Sequence, residues 1–234
     1  VLLIDEVQSL RASLLEAIIQ AIHKTVQRQL PITFVGAGLP QIAELAGDAK
    51  SYAERLFKFP TIDSLTDADA RAALAGAAER EGASYNADAL DRCVEITKCY
   101  PYFLQELGYQ AWEIARDGVI TLDDIDLAQE VYEAALDESF FRVRLDRATP
   151  LQTAYMRAMA ELGPAPQKAG DVAALMKRES TQLGPTRAEL IDMGLLYTPE
   201  HGYAAFTVPN FDQFMRRAVP ELIVPEVRKR KSRK

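Results

Sequence analysis

Two unbroken apolar runs, Val1–Ile4 and Ile32–Val35, stand one helix apart and constrain the fold more than any other feature. Short runs that are apolar at every position are typical of strands buried on both faces of a parallel sheet. Apolar residues between them recur at helical spacing, and the intervening helix ends at Leu30 and Pro31. The apolar positions of this helix are Leu10, Leu14, Ile18, Ile22 and Val26. The sequence therefore predicts half of an α/β unit, and we expect further strands before Val1 or from another chain, because two strands do not make a stable core.

The pattern becomes wholly helical after Pro60, with named start and stop signals. Helix starts are predicted from capping residues or from a first-turn proline, and the stops from glycine. The starts are at Thr66 with Asp69, Asn86, Pro101, and Thr121 with Asp124; the stops are at Gly82 and Gly118. The fourth helix runs toward Phe140 and Phe141, and we predict a connector over Arg142–Thr149.

A third pattern starts at Pro150. A helical stripe ends at Gly163-Pro164, and helices are predicted at about 171–178 and 181–193. Two short strands follow at 195–197 and 203–208, joined by a turn at His201-Gly202. This is the winged-helix order, and a closing helix at 211–215 is predicted to pack on the first helix.

Charge divides the chain in the same way. Residues 1–60 hold six acids and six bases, residues 61–139 hold 18 acids and 5 bases, and residues 149–234 hold 9 acids and 13 bases. Six of those bases fall in the final seven residues. No apolar run approaches the roughly 20 residues that cross a bilayer, and no charged segment followed by an apolar one is found at the start, so we expect no export leader. With two cysteines lacking the spacing of a metal or redox site, we predict a cytoplasmic protein that does not enter membranes.

Two carboxylates, Asp5 and Glu6, directly follow the first apolar run. The carboxyl ends of parallel strands are where open sheets bind ligands. The pattern resembles a Walker B motif, in which the first acid holds Mg²⁺ and the second deprotonates the water that attacks a phosphate. A strand that ends in a structural acid is an equally good interpretation of these residues alone.

The order of motifs resembles an AAA+ ATPase of the origin-recognition initiator type. It consists of the acidic strand end, the segment Thr33-Phe34-Val35-Gly36-Ala37-Gly38, then Ser51–Pro60, and finally Tyr100-Pro101-Tyr102-Phe103-Leu104-Gln105. The resemblance implies a mainly α fold with the remnant of an α/β P-loop core, a helical lid and a C-terminal winged helix. It also implies that Arg55 reaches the nucleotide of a neighbouring subunit in a homo-oligomer. A surface arginine at a helix end is the alternative.

Departures from the family pattern limit the expected activity. Gly36, Ala37 and Gly38 replace the polar sensor of relatives, and Tyr102 lies near the place of the lid arginine. No GxxxxGK[ST] phosphate loop occurs in the 234 residues. We therefore expect ATP and Mg²⁺ to be cofactors of an intact protein with that loop upstream, and we expect no cofactor for this chain alone.

The predicted winged helix supplies the candidate DNA contacts. Its third helix is expected to begin after a Ser180 cap, although Gly184-Pro185 is an alternative start. Lys177 and Arg178 would meet phosphates, and Gln182 and Thr186 would point outward to read bases. Arg187 is either a further DNA contact or a structural ion pair. Trp112 and the aromatic residues around it are predicted to be core.

The predicted domains are 1–60, the ATPase-core remnant; 61–148, the helical lid; 149–219, the winged helix; and 220–234, a basic tail. Glu6 and Arg55 are the predicted catalytic residues and Asp5 the metal ligand. The function expected from this organisation couples the nucleotide state to DNA binding. The alternative is a nucleotide-switched signalling scaffold whose winged helix docks protein and whose hydrolysis is vestigial.

Overall fold

The computed structural model describes residues 1–39 and 42–226. The chain divides into two compact units, Val1–Ile62 and Asp63–Lys234. The described chain is mainly helical, as the sequence predicts. The part of the predicted basic tail from residue 227 onward lies outside the described residues. None of the helices in the described ranges combines the length and the apolar character needed to cross a membrane.

The first unit contains the predicted strand–helix–strand order. Strand β1 (Leu2–Ile4) pairs in parallel with β2 (Phe34–Gly36), and helix α1 (Ala12–Gln27) connects them. Helices α2 (Ile42–Ala49) and α3 (Ala53–Leu56) complete the unit. A small core unites Val7, Leu15, Ile19, Ala46 and Ala53. This arrangement brings the carboxyl ends of β1 and β2 side by side.

Two expectations for this unit are wrong in detail. The strands are not buried on both faces: Leu3 is 71% exposed and Val35 52% exposed. With two strands, both are sheet edges, so no neighbouring strand covers them. The buried stripe of α1 is Leu15, Ile19 and Ile22, whereas Leu14 is exposed. The helix begins at Ala12, so that Leu10, predicted as its first apolar position, lies before it, and two apolar stripes overlap in this sequence.

The second unit begins with a helical segment. Its helices are α4 (Asp67–Arg80), α5 (Ala87–Thr97), α6 (Pro101–Ile114) and α7 (Leu122–Ala135). The predicted starts are confirmed: Thr66 accepts a hydrogen bond from the Asp69 amide, Pro101 occupies the first turn, and Thr121 forms a capping box with Asp124. A parallel pair of two-residue strands, β3 (Ser84–Tyr85) and β4 (Val119–Ile120), was not predicted.

The predicted connector over Arg142–Thr149 is wrong in its first half. The chain continues from α7 through a π-helical turn (Leu136–Phe141) into helix α8 (Arg142–Leu145). A π-helical turn inserts one extra residue into a helix and rotates the side chains that follow it. Here that turn carries Phe140 and Phe141 into aromatic contacts on both sides.

The C-terminal segment alternates helices with a small antiparallel sheet. Its helices are α9 (Pro150–Leu162), α10 (Ala169–Leu175), α11 (Ser180–Asp192) and α12 (Phe211–Ala218). The strands β5 (Gln167–Lys168), β6 (Leu196–Tyr197) and β7 (Tyr203–Phe206) lie in the order β5-β7-β6. Strand β5 was not predicted. Helix α12 packs on α9, as predicted.

The helical and C-terminal segments share one hydrophobic core. Phe141 stacks on Phe214 with 5.1 Å between ring centroids, and meets Phe103 and Phe211 edge-on. Each such aromatic pair contributes roughly 0.5–1.5 kcal/mol beyond its buried area. The two segments were predicted as separate domains, yet the contact between them is as apolar as a domain interior.

Removal of two buried hydroxyl groups, one at a time, is predicted to change the free energy of unfolding in opposite directions. The Tyr155 hydroxyl has no hydrogen-bond partner among the described residues, whereas the Thr97 hydroxyl donates to the Cys93 carbonyl at 2.7 Å. Burial raises the pKa of Tyr155, so its hydroxyl stays neutral. We expect Tyr155→Phe to leave the free energy of unfolding unchanged or to raise it by about 1 kcal/mol, and Thr97→Val to lower it by about 1 kcal/mol. Urea unfolding followed by Trp112 fluorescence measures both; a clear loss for Tyr155→Phe contradicts the unpaired hydroxyl.

Candidate functional site

The two predicted carboxylates lie at the joined ends of β1 and β2. The Ala37 amide donates to the Ile4 carbonyl at 2.9 Å, and the Val7 amide donates to the Ala37 carbonyl at 3.0 Å. These bonds continue the parallel pairing beyond the strands and fix the turn that carries Asp5 and Glu6. Both side chains are exposed. The position matches the ligand-binding edge of a parallel sheet.

Glu6 adopts a left-handed backbone conformation, with φ 52° and ψ 44°. This conformation costs a residue other than glycine roughly 1–2 kcal/mol. The Glu6 amide donates to Asp5 Oδ1 at 2.9 Å, which holds the Asp5 carboxylate against the turn. The chain therefore turns sharply at the second acid.

Gln8 connects this turn to the tip of β2, a role that the sequence analysis missed. Its Nε2 donates to the Glu6 carboxylate, and its Oε1 accepts from the Leu39 amide at 3.1 Å. A Cβ added at Gly38 would collide with Gln8 Oε1 and approach Ile42 to 3.0 Å. Gly38 therefore leaves the room that this bridge needs. No local signal identifies Gln8, because its partner Leu39 is 31 residues away.

Asp5 fits one mode of Mg²⁺ binding and not another. Within residues 1–39 and 42–226, no group of three or more His, Cys, Asp or Glu side chains could hold a metal ion. Mg²⁺ at phosphate sites commonly uses one or two carboxylates together with substrate phosphates and water. Asp5 Oδ2 has no hydrogen bond in the described part of the chain and suits that mode. The sequence lacks the GxxxxGK[ST] loop that forms a phosphate cradle for ATP.

Arg55 is exposed on the short helix α3, whose Ala53 is fully buried. Tyr52, directly before that helix, packs its ring on His23 with 4.6 Å between centroids. The Arg55 guanidinium forms no ion pair or hydrogen bond with any residue that the structure describes, although the Arg55 amide donates to the Tyr52 carbonyl at 3.1 Å. The helix is thus anchored by its neighbours, and the Arg55 guanidinium is available to another molecule.

The predicted DNA contacts gather around the turn between α10 and α11, and two of them differ from expectation. Lys177 is exposed, with a left-handed φ of 53°. Arg178 is half-buried and donates to the Pro225 carbonyl, so part of its guanidinium is occupied. Thr186 is 6% exposed, so the expectation that it faces outward is wrong. It follows Leu183 by three residues, on the same buried face of α11.

The start of α11 also needs correction. The cap is Glu179 rather than Ser180: Glu179 and Gln182 form a capping box, and Gln182 Oε1 accepts from the Glu179 amide at 3.2 Å. Pro185 lies inside the helix and does not start it. Gln182 remains exposed with its amide nitrogen unused in the described part of the chain. Arg187 forms no ion pair with the described residues, whereas the alternative interpretation of this residue was a structural ion pair.

An exposed apolar groove lies on the helical segment, between α4 and α6. Its volume is about 470 Å³, and its lining includes Leu65, Ala73, Ala77, Tyr109 and Trp112. Trp112 is 41% exposed and Tyr109 58% exposed, so the prediction that Trp112 is core is wrong. Helical spacing places these residues on one face of α6, but the small side chains of α4 leave that face partly uncovered.

Comparison with known proteins identifies the fold. The family model described as "Domain of unknown function (DUF8462)" matches residues 138–215, about one third of the chain. No curated protein matches the sequence. Solved structures of RuvB from Thermotoga maritima do match, among them two mutants and one titled "Holliday junction branch migration motor". These three are 18% identical, align with 87% of this chain and have TM-scores of 0.50, 0.51 and 0.50.

The chain spans 65–66% of the length of those RuvB chains. At this identity the likeness concerns the fold, which is that of the matching part of an AAA+ ATPase. The expectation of an AAA+ fold is therefore supported, while the finer assignment to the initiator type stays a prediction.

The Gln8 bridge generates a local stability prediction. We expect Gln8→Ala to raise the hydrogen-exchange rate of the Leu39 amide about fivefold, since the loss of one hydrogen bond costs roughly 1 kcal/mol. Gln20→Ala is the matched control, because Gln20 bonds only to Glu16 on the same exposed helix face. Native-state amide exchange by NMR measures both variants. Equal protection of Leu39 in the parent chain and Gln8→Ala would remove Gln8 from the site.

Proposed function

We propose that this chain is part of an AAA+ ATPase in which Asp5 and Glu6 serve a phosphate site and a C-terminal winged helix engages DNA. The observation that carries the proposal is the pair of exposed carboxylates at the joined ends of β1 and β2, in a chain with an AAA+ fold. In this arrangement Asp5 would hold Mg²⁺, and the ion would supply positive charge beside the phosphates. Glu6 takes a proton from the attacking water, and Gln8 holds its carboxylate in place.

In this proposal, Arg55 acts in a homo-oligomer, on the nucleotide bound by a neighbouring subunit. An exposed arginine with no partner among the described residues is suited to a phosphate of a neighbouring copy, where it would stabilise the charge of the transition state. The RuvB structures used in the comparison support an AAA+ fold, and the homo-oligomer is part of the proposal. In such an assembly each site is completed by the next subunit.

The DNA interface in this proposal is the turn between α10 and α11 together with β5–β7. Lys177 supplies a phosphate contact, and Gln182 offers its free amide nitrogen to base edges. Arg187, half-buried and without an ion pair in the described part of the chain, supplies a further contact. Thr186 is omitted because it is buried. The segment 61–139, with 18 acids and 5 bases, repels DNA, so engagement is confined to the C-terminal segment.

A protein-docking scaffold is the second candidate, and a specific observation favours it. The groove that includes Tyr109 and Trp112 exposes aromatic side chains of the kind that dominate protein interfaces. In that case the winged helix docks protein and hydrolysis is vestigial. The two candidates differ in whether the chain binds DNA when electrostatic attraction is strongest.

DNA binding tests the first candidate directly. Fluorescence anisotropy of a labelled 20-base-pair duplex and of a four-way junction should show binding by the full chain at about 50 mM salt, with an affinity that falls as salt rises. Lys177→Ala should weaken binding to all sequences and lower the slope of log affinity against log salt by about 0.9. Lys24→Ala removes the same charge from α1 and should have no effect. The absence of binding to either DNA supports the scaffold instead.

Nucleotide chemistry provides a separate test. We expect no ATP turnover by the 234-residue chain, because it lacks a phosphate loop. In a longer chain that includes such a loop, Glu6→Gln should preserve nucleotide binding and lower turnover, since it removes the base and keeps the metal ligand. An equimolar mixture of Glu6→Gln and Arg55→Ala subunits should regain activity if Arg55 acts on a neighbour. Failure of that mixture, with both single variants inactive, would argue against the intersubunit role.

A further inference from the structure

A cluster of aromatic and cationic side chains lies where helix α6 begins and the π-helical turn passes into α8. Tyr102 stacks on Phe140 with 4.9 Å between ring centroids and 21° between ring planes. The Arg144 guanidinium lies over the Phe140 ring, with Cζ 3.7 Å from the centroid, and its Nη1 donates to the Phe140 carbonyl at 2.7 Å. These three side chains, together with Arg147, are called the Tyr102 platform.

The platform is open to solvent but rests on a rigid support. Tyr102 is 42% exposed, although Phe140 covers one face of its ring. Phe140 and Arg144 are half-buried. Phe141 and Leu145, in the same segment, are buried in the hydrophobic core of the second unit. A partner that stacks on Tyr102 therefore meets a ring that is already held in place, which lowers the entropy cost of binding.

The cations of the platform lack the carboxylate partners that other arginines of the second unit have. Arg92 and Arg217 contact carboxylates at 2.6–3.0 Å. Arg144 and Arg147 form no ion pair with any carboxylate in the described part of the chain, and Arg147 is exposed. Burial lowers the pKa of Arg144, and the charge of Arg147 acts in the same direction. An anion bound beside both guanidinium groups would relieve their mutual repulsion.

The combination of an open ring and unpaired guanidinium groups fits a nucleic-acid strand whose bases are unstacked. Such a base stacks on an aromatic side chain, and the adjacent phosphates accept hydrogen bonds from arginine. A duplex keeps its bases stacked between their neighbours, so it cannot offer a base face to Tyr102. An acidic peptide offers carboxylates to the arginines but makes no use of the aromatic ring. A single strand uses both parts of the platform.

We propose that the Tyr102 platform binds single-stranded DNA, with a base stacked on Tyr102 and the adjacent phosphates on Arg144 and Arg147. This inference goes beyond the proposed function, in which the turn between α10 and α11 engages a duplex at Lys177. The platform consists of residues from α6, the π-helical turn and the α8 region, so the two surfaces share no residue. A chain with both surfaces would suit DNA that contains paired and unpaired regions.

Substitution of the ring provides the first test. Binding of the full chain to a labelled 20-nucleotide oligothymidylate and to the 20-base-pair duplex is compared at about 50 mM salt. We expect Tyr102→Ala to weaken binding of the single strand about tenfold and to leave duplex binding unchanged, while Tyr102→Phe retains both. Tyr109→Ala is the matched control, because it removes a more exposed tyrosine from the same helix. Lys177→Ala should weaken duplex binding and spare the single strand.

Substitution of a cation provides the second test. We expect Arg147→Ala to weaken single-strand binding and to lower the slope of log affinity against log salt by about 0.7, the value for one phosphate contact on a single strand. Arg80→Ala is the control, since Arg80 is exposed on α4 and has no ion pair in the described part of the chain. Urea unfolding of each variant verifies that the fold is retained. If Tyr102→Ala does not fold, Tyr102→Phe and Arg147→Ala still carry the test.

Competing ligands distinguish a strand from other anions. An abasic strand of the same length keeps the phosphates and lacks the bases, so we expect it to bind the parent chain and Tyr102→Ala equally. Equal weakening of the abasic strand and the oligothymidylate by Tyr102→Ala would overturn the stacking role. Competition as strong as that of the strand, from polyglutamate or from thymidine monophosphate at the same nucleotide concentration, would reassign the surface to an acidic protein or a free nucleotide and overturn the proposal.

The outcomes also separate this proposal from the duplex function. Single-strand binding that depends on Tyr102, in a chain that does not bind the duplex, would overturn the duplex function and keep the platform. Duplex binding that depends on Lys177, with single-strand binding unaffected by Tyr102→Ala and Arg147→Ala, would overturn the platform and keep the duplex function. Absence of binding to both DNA forms would overturn both.

Discussion

The packing of the Phe141 ring determines how the second unit is built. Phe141 is 1% exposed and lies between helix α6, through Phe103, and helix α12, through Phe211 and Phe214. The π-helical turn delivers it there, since an ordinary helical turn would rotate the side chains differently. Hydrogen bonds also join the π-helical turn to helix α12: Arg217 donates twice to Asp137, at 2.9 and 2.6 Å. The turn between α10 and α11 is thereby held in a fixed relation to the acidic helices.

This fixed relation has an electrostatic consequence for the proposed DNA interface. In this proposal, a duplex at Lys177 is attracted by the nearby cationic side chains and repelled by the carboxylates of the acid-rich helical segment. The cations and the carboxylates keep fixed positions relative to each other because they belong to one packed unit. Attraction and repulsion from one rigid body orient a charged partner as well as bind it. Specificity in such an interface derives mainly from the direction of approach and from salt, and only secondarily from base contacts such as that of Gln182.

Local signals in the sequence predicted the local structure, and contacts distant in sequence account for most of the errors. Thr66, Pro101 and Thr121 were correctly placed because a helix start depends on three or four consecutive residues. Capping preferences favour Ser180 over its neighbour Glu179, and the structure reverses that choice because Gln182, three residues after Glu179, completes a capping box with it. The Gln8–Leu39 and Arg178–Pro225 hydrogen bonds join residues that are 31 and 47 positions apart. The periodicity of apolar residues therefore cannot predict them. The burial of Thr186 follows from packing around α11.

Because Glu6 has a left-handed backbone conformation, the residue that is best for stability at this position differs from the residue that a carboxylate-dependent activity requires. Glycine adopts that conformation at almost no cost, and asparagine at a modest one. A library of position-6 variants sorted only for thermal resistance should therefore become rich in glycine and asparagine. Sorting the same library for a carboxylate-dependent activity should return glutamate despite its lower stability. The backbone angle at one residue thus separates what the fold prefers from what the site requires, and the difference between the two sorted populations measures how strongly function opposes stability here.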